Sequence, residues 1–96
     1  MTNVKSVFTR SLRFANHVRI IVDQYINGGL YIGLCTTDGE LYDDITKYVV
    51  PVPHPFAYVQ SGSEAEKFIA EQHLGKPTNS VLRSGFNTYR MYKFNV

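Results

Sequence analysis

Apolar and polar residues alternate along three stretches near the middle of the chain, and this period of two predicts β-strands. The stretches are residues 17–25, 30–36 and 41–48, separated by turn residues at Asn27-Gly28-Gly29 and Thr37-Asp38-Gly39. The positions that we expect to face the core are Val18, Ile20, Val22, Leu30, Ile32, Leu34, Leu41 and Ile45. Two adjacent hairpins of this kind predict an antiparallel meander over residues 18–48.

A helical period replaces the alternation in residues 63–74. Ser63 and Glu66 have the spacing of a capping box, in which the serine hydroxyl caps the Glu66 amide and the glutamate reaches back. The residues that recur at helical spacing are Ala65, Phe68, Ile69 and Gln72. Gly75 and Pro77 are typical of the point where a helix stops. The pattern therefore predicts one helix.

The predicted fold class is α+β, in a single domain over residues 1–96. An antiparallel sheet of about four to six strands, drawn from residues 18–48 and 80–94, packs against the 63–74 helix through Phe68 and Ile69. Residues 56–60 favour a further short strand, and the proline-rich 51–55 favours a loop or a sheet edge. Residues 1–15 fit either a helix or a strand.

Composition places the chain among ordinary soluble domains. It has 96 residues, a formal net charge of +2 and one cysteine, so no internal disulfide can form. A lone cysteine fits a reducing compartment. The N-terminus lacks the features of a signal peptide, and no apolar run reaches the roughly 18 residues of a membrane span. We expect a cytoplasmic protein with no membrane association and no cofactor.

All eight carboxylates lie between Asp23 and Glu71, whereas both ends of the chain are basic. The densest acidic cluster is Asp38, Glu40, Asp43 and Asp44. Such a cluster is a solvated hairpin in most proteins, and an acidic docking surface for a basic partner is the functional alternative. A metal site is disfavoured because neighbouring residues of a strand point to opposite faces and the spacing of a calcium loop is absent.

A second candidate site lies near the C-terminus, where aromatic and basic residues are mixed. Its residues are Arg83, Arg90, Tyr92 and Lys93. Aromatic rings among cations are typical of proteins that grip single-stranded nucleic acid. The simpler interpretation is a strand with one face in the core and the other carrying solvated charges. A net charge of +2 is modest for a nucleic-acid-binding domain.

No stretch of the chain carries a catalytic or metal-binding motif. Cys35 with one of His17, His54 or His73 is the one nucleophile pair to consider. However, Cys35 falls inside a predicted strand, and free cysteines are among the most buried residues. We therefore expect a protein that acts by binding and is not an enzyme.

Several segments together resemble a family of small uncharacterised proteins carried by phages and conjugative elements of Gram-positive and gut bacteria. The segments are 22–25, 30–34, 38–46, 57–60, the 63–74 helix with its Leu74-Gly75 stop, 84–86 and 92–94. Members usually have a proline after the tyrosine near the end, whereas Arg90 follows Tyr89 here. The three-proline loop is also unusual for the family.

The resemblance implies a mobile-element accessory protein inside a bacterial cell. Small proteins of that kind often inhibit host defence, so the leading hypothesis is an anti-CRISPR protein that binds a Cas nuclease complex. The acidic hairpin at residues 38–44 would mimic phosphate in the basic channel of the nuclease. The alternative is a nucleic-acid-binding accessory protein of a mobile element. The oligomeric state stays open.

Overall fold

The computed structural model describes residues 3–9, 16–26 and 28–96, and the described chain is built mainly of β-strands. Its elements are β1 (Asn3–Thr9), β2 (Asn16–Gln24), β3 (Leu30–Thr36), β4 (Leu41–Asp44), β5 (Phe56–Gln60), α1 (Glu64–Gln72), β6 (Gly75–Ser84) and β7 (Asn87–Phe94). A four-stranded sheet has the order β1-β2-β3-β4, and a three-stranded sheet has the order β5-β7-β6. All strand pairings are antiparallel.

The predicted fold class is wrong. The sequence predicts one antiparallel sheet packed on a main helix, whereas the strands form two sheets and the single described helix is short. The reason is that β5 pairs with β7, from Phe56 opposite Lys93 to Gln60 opposite Tyr89. Alternation along a strand shows which face is buried but not which strand lies beside it.

The two sheets and the helix share one apolar core. The meander positions Val18, Ile20, Leu30, Ile32 and Leu34 are buried, as predicted. The core also contains residues of β5, of α1, of the segment directly after the helix, and of β7. They are Ala57, Val59, Ala65, Phe68, Ile69, Leu74, Tyr92 and Phe94. Phe68 and Ile69 are fully buried in this core, although the single sheet predicted to pack on them does not form.

The prediction that Leu41 faces the core is wrong, because its side chain is 67% exposed. The pairing of β3 with β4 shifts by one residue between Leu34 and Cys35, so that Leu41 lies opposite Cys35. Successive residues of a strand point to opposite faces, and a shift of one residue therefore turns Leu41 away from the core. Ile45, which directly follows β4, is fully buried as predicted.

The contacts at the start and the end of the helix differ from those that the sequence predicts. The Ser63 hydroxyl donates to the Gln60 carbonyl instead of capping α1, and a Glu66 carboxylate oxygen accepts from the Gly62 amide, 2.6 Å away. The helix ends at His73, which adopts a left-handed φ of 54°. Gly75 and Pro77 are not the helix stop: both belong to β6.

The open choice for the N-terminus is settled where the structure describes it. Residues 3–9 form β1, so the helix alternative is wrong there, and residues 10–15 lie outside the described residues. Residues 51–55 are loop, in agreement with the prediction. Among the described helices, none has the length and apolar character needed to cross a membrane.

Candidate functional site

The four predicted acidic residues lie on the hairpin of β3 and β4, but in two groups. Asp38 and Glu40 are exposed in the turn. This turn is closed by the Thr36 amide, which donates to the Glu40 carbonyl, and by Gly39 at a φ of +90°. Asp43 and Asp44 are half-buried at the other end of β4. The hairpin therefore presents Asp38 and Glu40 to solvent, whereas Asp43 and Asp44 lie partly against the rest of the fold.

Asp44 is held in place from the neighbouring strand. It lies opposite Gly33, and the Tyr31 ring occupies the space where a Cβ of Gly33 would stand. The Tyr31 hydroxyl therefore reaches across the glycine and donates to Asp44 Oδ1 at 2.6 Å. Burial, followed by this hydrogen bond and the charge of Asp44, raises the pKa of Tyr31 above its ordinary value.

A second set of hydrogen bonds fixes the chain directly after Asp44. The Ile32 amide donates to the Thr46 hydroxyl oxygen at 3.1 Å, and the Thr46 amide donates back to the Ile32 carbonyl at 3.2 Å. The Tyr25 and Thr46 hydroxyls lie 3.3 Å apart. Asp43 Oδ1 accepts from the Asp44 amide at 2.8 Å. Both carboxylates are thus oriented before any partner arrives.

Asp43 and Asp44 face the start of α1 across a cleft with a volume of about 140 Å³. Glu64, in the first turn of the helix, adds a third carboxylate to the lining, and Lys47 adds an ammonium group. The remaining lining residues are Ile45, Gln60, Ser63 and Ala65. Three carboxylates against one cation make this acidic cleft suited to a basic group of a partner.

Glu64 is the residue of this cleft that sequence reasoning misses. The capping pattern places it at the start of the helix, where acidic residues are common. Nothing in the local pattern indicates that the hairpin lies beside that helix end, because the two segments are about twenty residues apart in the sequence. Only the tertiary fold brings Glu64 to Asp43 and Asp44.

The residues of the predicted nucleic-acid site do not share one surface. Tyr92 is only 6% exposed, and its hydroxyl donates to Glu66 Oε2 at 2.5 Å. Burial, followed by the interaction with Glu66, raises the pKa of Tyr92. The Arg90 guanidinium donates to the Thr78 carbonyl at 2.9 Å. Arg83 and Lys93 are exposed, and Lys93 lies on the face opposite to Tyr92.

The remaining candidate residues are placed as follows. Cys35 is buried in β3, whereas His17, His54 and His73 are exposed. Within the part of the chain that the structure describes, no group of three or more histidine, cysteine or acidic residues has the geometry to hold a metal ion.

Comparison with known proteins gives a family but no activity. A family model described as a domain of unknown function (DUF4313) matches residues 20–96 of the chain. The match begins within β2 and includes the acidic hairpin, the helix and the second sheet. No curated protein and no solved structure matches the chain.

Proposed function

We propose that this chain, which belongs to the DUF4313 family, is a non-enzymatic binding protein that docks its acidic surface onto a basic surface of a partner protein. One observation carries the proposal: Asp43 and Asp44 from β4 converge with Glu64 from α1 on a single cleft. The exposed Asp38 and Glu40 extend the same negative charge to the hairpin turn.

The carboxylates of the acidic cleft are preorganised to bind a cationic group of a partner. Tyr31 and the backbone of β4 already hold the two aspartates, so little conformational freedom is lost when they bind. Clustered charges of one sign also accelerate the approach of an oppositely charged partner. A lysine or arginine side chain of the partner is the natural occupant of the cleft, with further contacts along the hairpin.

The most concrete partner is a nuclease complex of bacterial defence, and the protein is then an anti-CRISPR carried by a phage or conjugative element. This step is supported by the resemblance to small proteins of such elements. It is also supported by charge, because the channel of an RNA-guided nuclease is basic and its ligand is polyanionic. The acidic surface acts there as a phosphate mimic, in the cytoplasm of the host cell.

Co-purification with purified Cas complexes, combined with a DNA-cleavage assay, tests the proposal. We expect Asp43→Asn with Asp44→Asn to weaken binding and restore cleavage, because amides keep the shape of the carboxylates but lose their charge. Glu71→Gln, near the end of the same helix that carries Glu64, is the matched control and should keep full activity. Absence of binding to every complex, or equal loss in the control, would contradict the proposal.

A further inference from the structure

Lys76 and Lys93 lie directly opposite each other on neighbouring strands β6 and β7. Phe56 of β5 lies opposite Lys93 on its other side. Residues paired in this way share one face of a sheet. The next row, in which Tyr92 pairs with Ala57, is buried, so the row of Lys76, Lys93 and Phe56 is on the outer face. Both lysines are exposed and Phe56 is half-buried.

Two like charges placed directly opposite each other destabilise a sheet unless something compensates them. The sequence from Gln72 to Val96 contains no acidic residue. Among the described residues, neither lysine side chain has an ion-pair or hydrogen-bond partner. The described part of the chain therefore holds two ammonium groups side by side without a compensating carboxylate, which favours an anion from outside the chain.

A cleft lies beside the lysine pair, at the point where β6 and β7 approach each other closely. A Cβ on Gly75 would lie 2.7 Å from the Lys93 carbonyl oxygen and 3.0 Å from Phe94 Cα, so the close approach of the two strands requires glycine. Next to it is a cleft of about 230 Å³ lined by Gly75, Lys76, Lys93, Phe94 and Asn95. Both lysines therefore line the same cleft.

We propose that Lys76 and Lys93 bind a phosphate group of single-stranded nucleic acid and that Phe56 stacks on a neighbouring base. Lysine binds phosphate as a compact point charge, and aromatic side chains beside cations are the usual platform for unpaired bases. The half-buried Tyr89 and Met91 extend the same outer face along β7. This site shares only Lys93 with the residues predicted from the sequence, because Tyr92 points into the core.

The phosphate site and the acidic cleft are separate. Gln60 lines the acidic cleft, and Phe56 lies at the other end of β5. Four strand residues at about 3.3 Å each separate them by roughly 13 Å. This exceeds the Debye length of about 8 Å at physiological salt, so the carboxylates repel a phosphate at the lysines only weakly.

Fluorescence anisotropy with labelled oligothymidylate of about 15 nucleotides tests the site at low salt. We expect Lys76→Gln and Lys93→Gln each to weaken binding roughly threefold or more and to make the salt dependence shallower by about 0.7. Phe56→Leu should weaken binding about fivefold or more, by loss of stacking. Lys67→Gln, an exposed lysine on α1, is the control and should bind like wild type.

Three outcomes would overturn the proposal. The first is an absence of oligothymidylate binding by the wild-type protein, including the case in which inorganic phosphate alone binds. The second is equal weakening by Lys67→Gln, and the third is equal affinity for duplex DNA. Thermal unfolding of each variant confirms folding, and it adds an independent readout: removing one of two opposed charges should leave the Tm unchanged or raise it.

Discussion

At the scale of single residues, Phe68 is the largest fully buried side chain among the described residues. It belongs to the apolar core and has no exposed surface. We expect Phe68→Ala to lower the free energy of unfolding by about 3–5 kcal/mol, through lost burial and the cavity left behind. Urea unfolding measures this change.

The neighbouring Lys67 provides the control for Phe68, because its side chain is exposed on the same helix. Lys67→Ala should change the free energy of unfolding by no more than about 0.5 kcal/mol. A loss below about 1 kcal/mol for Phe68→Ala would show that the helix does not contribute its aromatic ring to the core, and the packing of α1 would need revision.

Three tyrosines make stability depend on pH in the alkaline range. Burial is the first cause that raises the pKa of Tyr25, Tyr31 and Tyr92, and a nearby carboxylate adds to it in each case. The folded protein therefore holds these protons more tightly than the unfolded chain does. Their contribution is fully present below about pH 10 and is lost as the pH rises above that value.

Urea unfolding at several pH values between about 8 and 11 measures this dependence. We expect the free energy of unfolding of the wild type to fall with rising pH, and to fall less steeply in Tyr31→Phe and in Tyr92→Phe. Phenylalanine keeps the ring but has no proton to lose. Parallel curves for all three proteins would show that the phenols ionise as easily in the folded state as in the unfolded chain.

Sequence patterns predict single residues well where burial follows from alternation, and poorly where it depends on a distant segment. Ile32 and Leu34 are buried as expected from the meander. From the sequence, Tyr92 resembles a surface aromatic residue among basic residues. In the fold it pairs with Ala57 on the neighbouring strand, and its hydroxyl donates to Glu66. The pattern of a strand gives two faces, and only the partner strands decide which is the core.

At the scale of elements, Gly75 connects the end of α1 to the pairing of β6 with β7. Because an added Cβ would meet the backbone of Lys93 and Phe94, no side-chain rotation relieves the contact. We expect Gly75→Ala to lower the free energy of unfolding by about 1–3 kcal/mol, the usual cost of overpacking. Ser80→Ala, at an exposed position of the same strand, is the control for urea unfolding and should be nearly neutral.

Gly75→Ala also tests whether binding at the lysines depends on the packing of the second sheet. If the strands move apart at Gly75, the two lysines no longer face one cleft, and oligothymidylate binding falls together with stability. Unchanged stability in Gly75→Ala would mean that the strands yield easily there. The opening beside Lys76 and Lys93 would then not be a rigid feature of the sheet.

The elements themselves are largely predictable, and their arrangement is not. The meander, the helix within residues 63–74 and the short strand at 56–60 all occur. Each is encoded locally, by a period of two or of about 3.6 residues. The pairing of β5 with β7 joins residues some thirty positions apart, and no local pattern encodes that contact. The same reason explains why the sequence predicts the acidic hairpin but not its convergence with Glu64.

At the scale of the whole molecule, the described strands from the two basic ends of the chain belong to different sheets. β1 is an edge strand of the first sheet, whereas β6 and β7 belong to the second. The charge separation suggested by the sequence is instead found along β5, between the acidic cleft near Gln60 and the lysine pair near Phe56. Raised salt should therefore weaken partner binding at the acidic cleft and oligonucleotide binding at the lysines independently.

The N-terminal strand protects the edge of the first sheet. β1 covers β2 along seven residue pairs, from Asn3 opposite Val22 to Thr9 opposite Asn16. The buried cluster begins at Val18, with Val7 packed partly against it. We expect a chain lacking residues 1–15 to fold with a lower Tm and to self-associate as its concentration rises, because β2 becomes an open edge with an apolar face. Thermal unfolding and sedimentation velocity measure the two effects.

The self-association expected of the shortened chain has a matched control in Ile21→Lys. Ile21 is half-buried and lies between two inward-facing residues of β2, so its side chain points to the outer face. A lysine on an open edge strand discourages pairing with another chain. The shortened chain with Ile21→Lys should therefore remain monomeric at concentrations where the shortened chain associates. Association of both proteins would place the contact elsewhere than β2, and an unfolded shortened chain would make β1 an indispensable part of the first sheet.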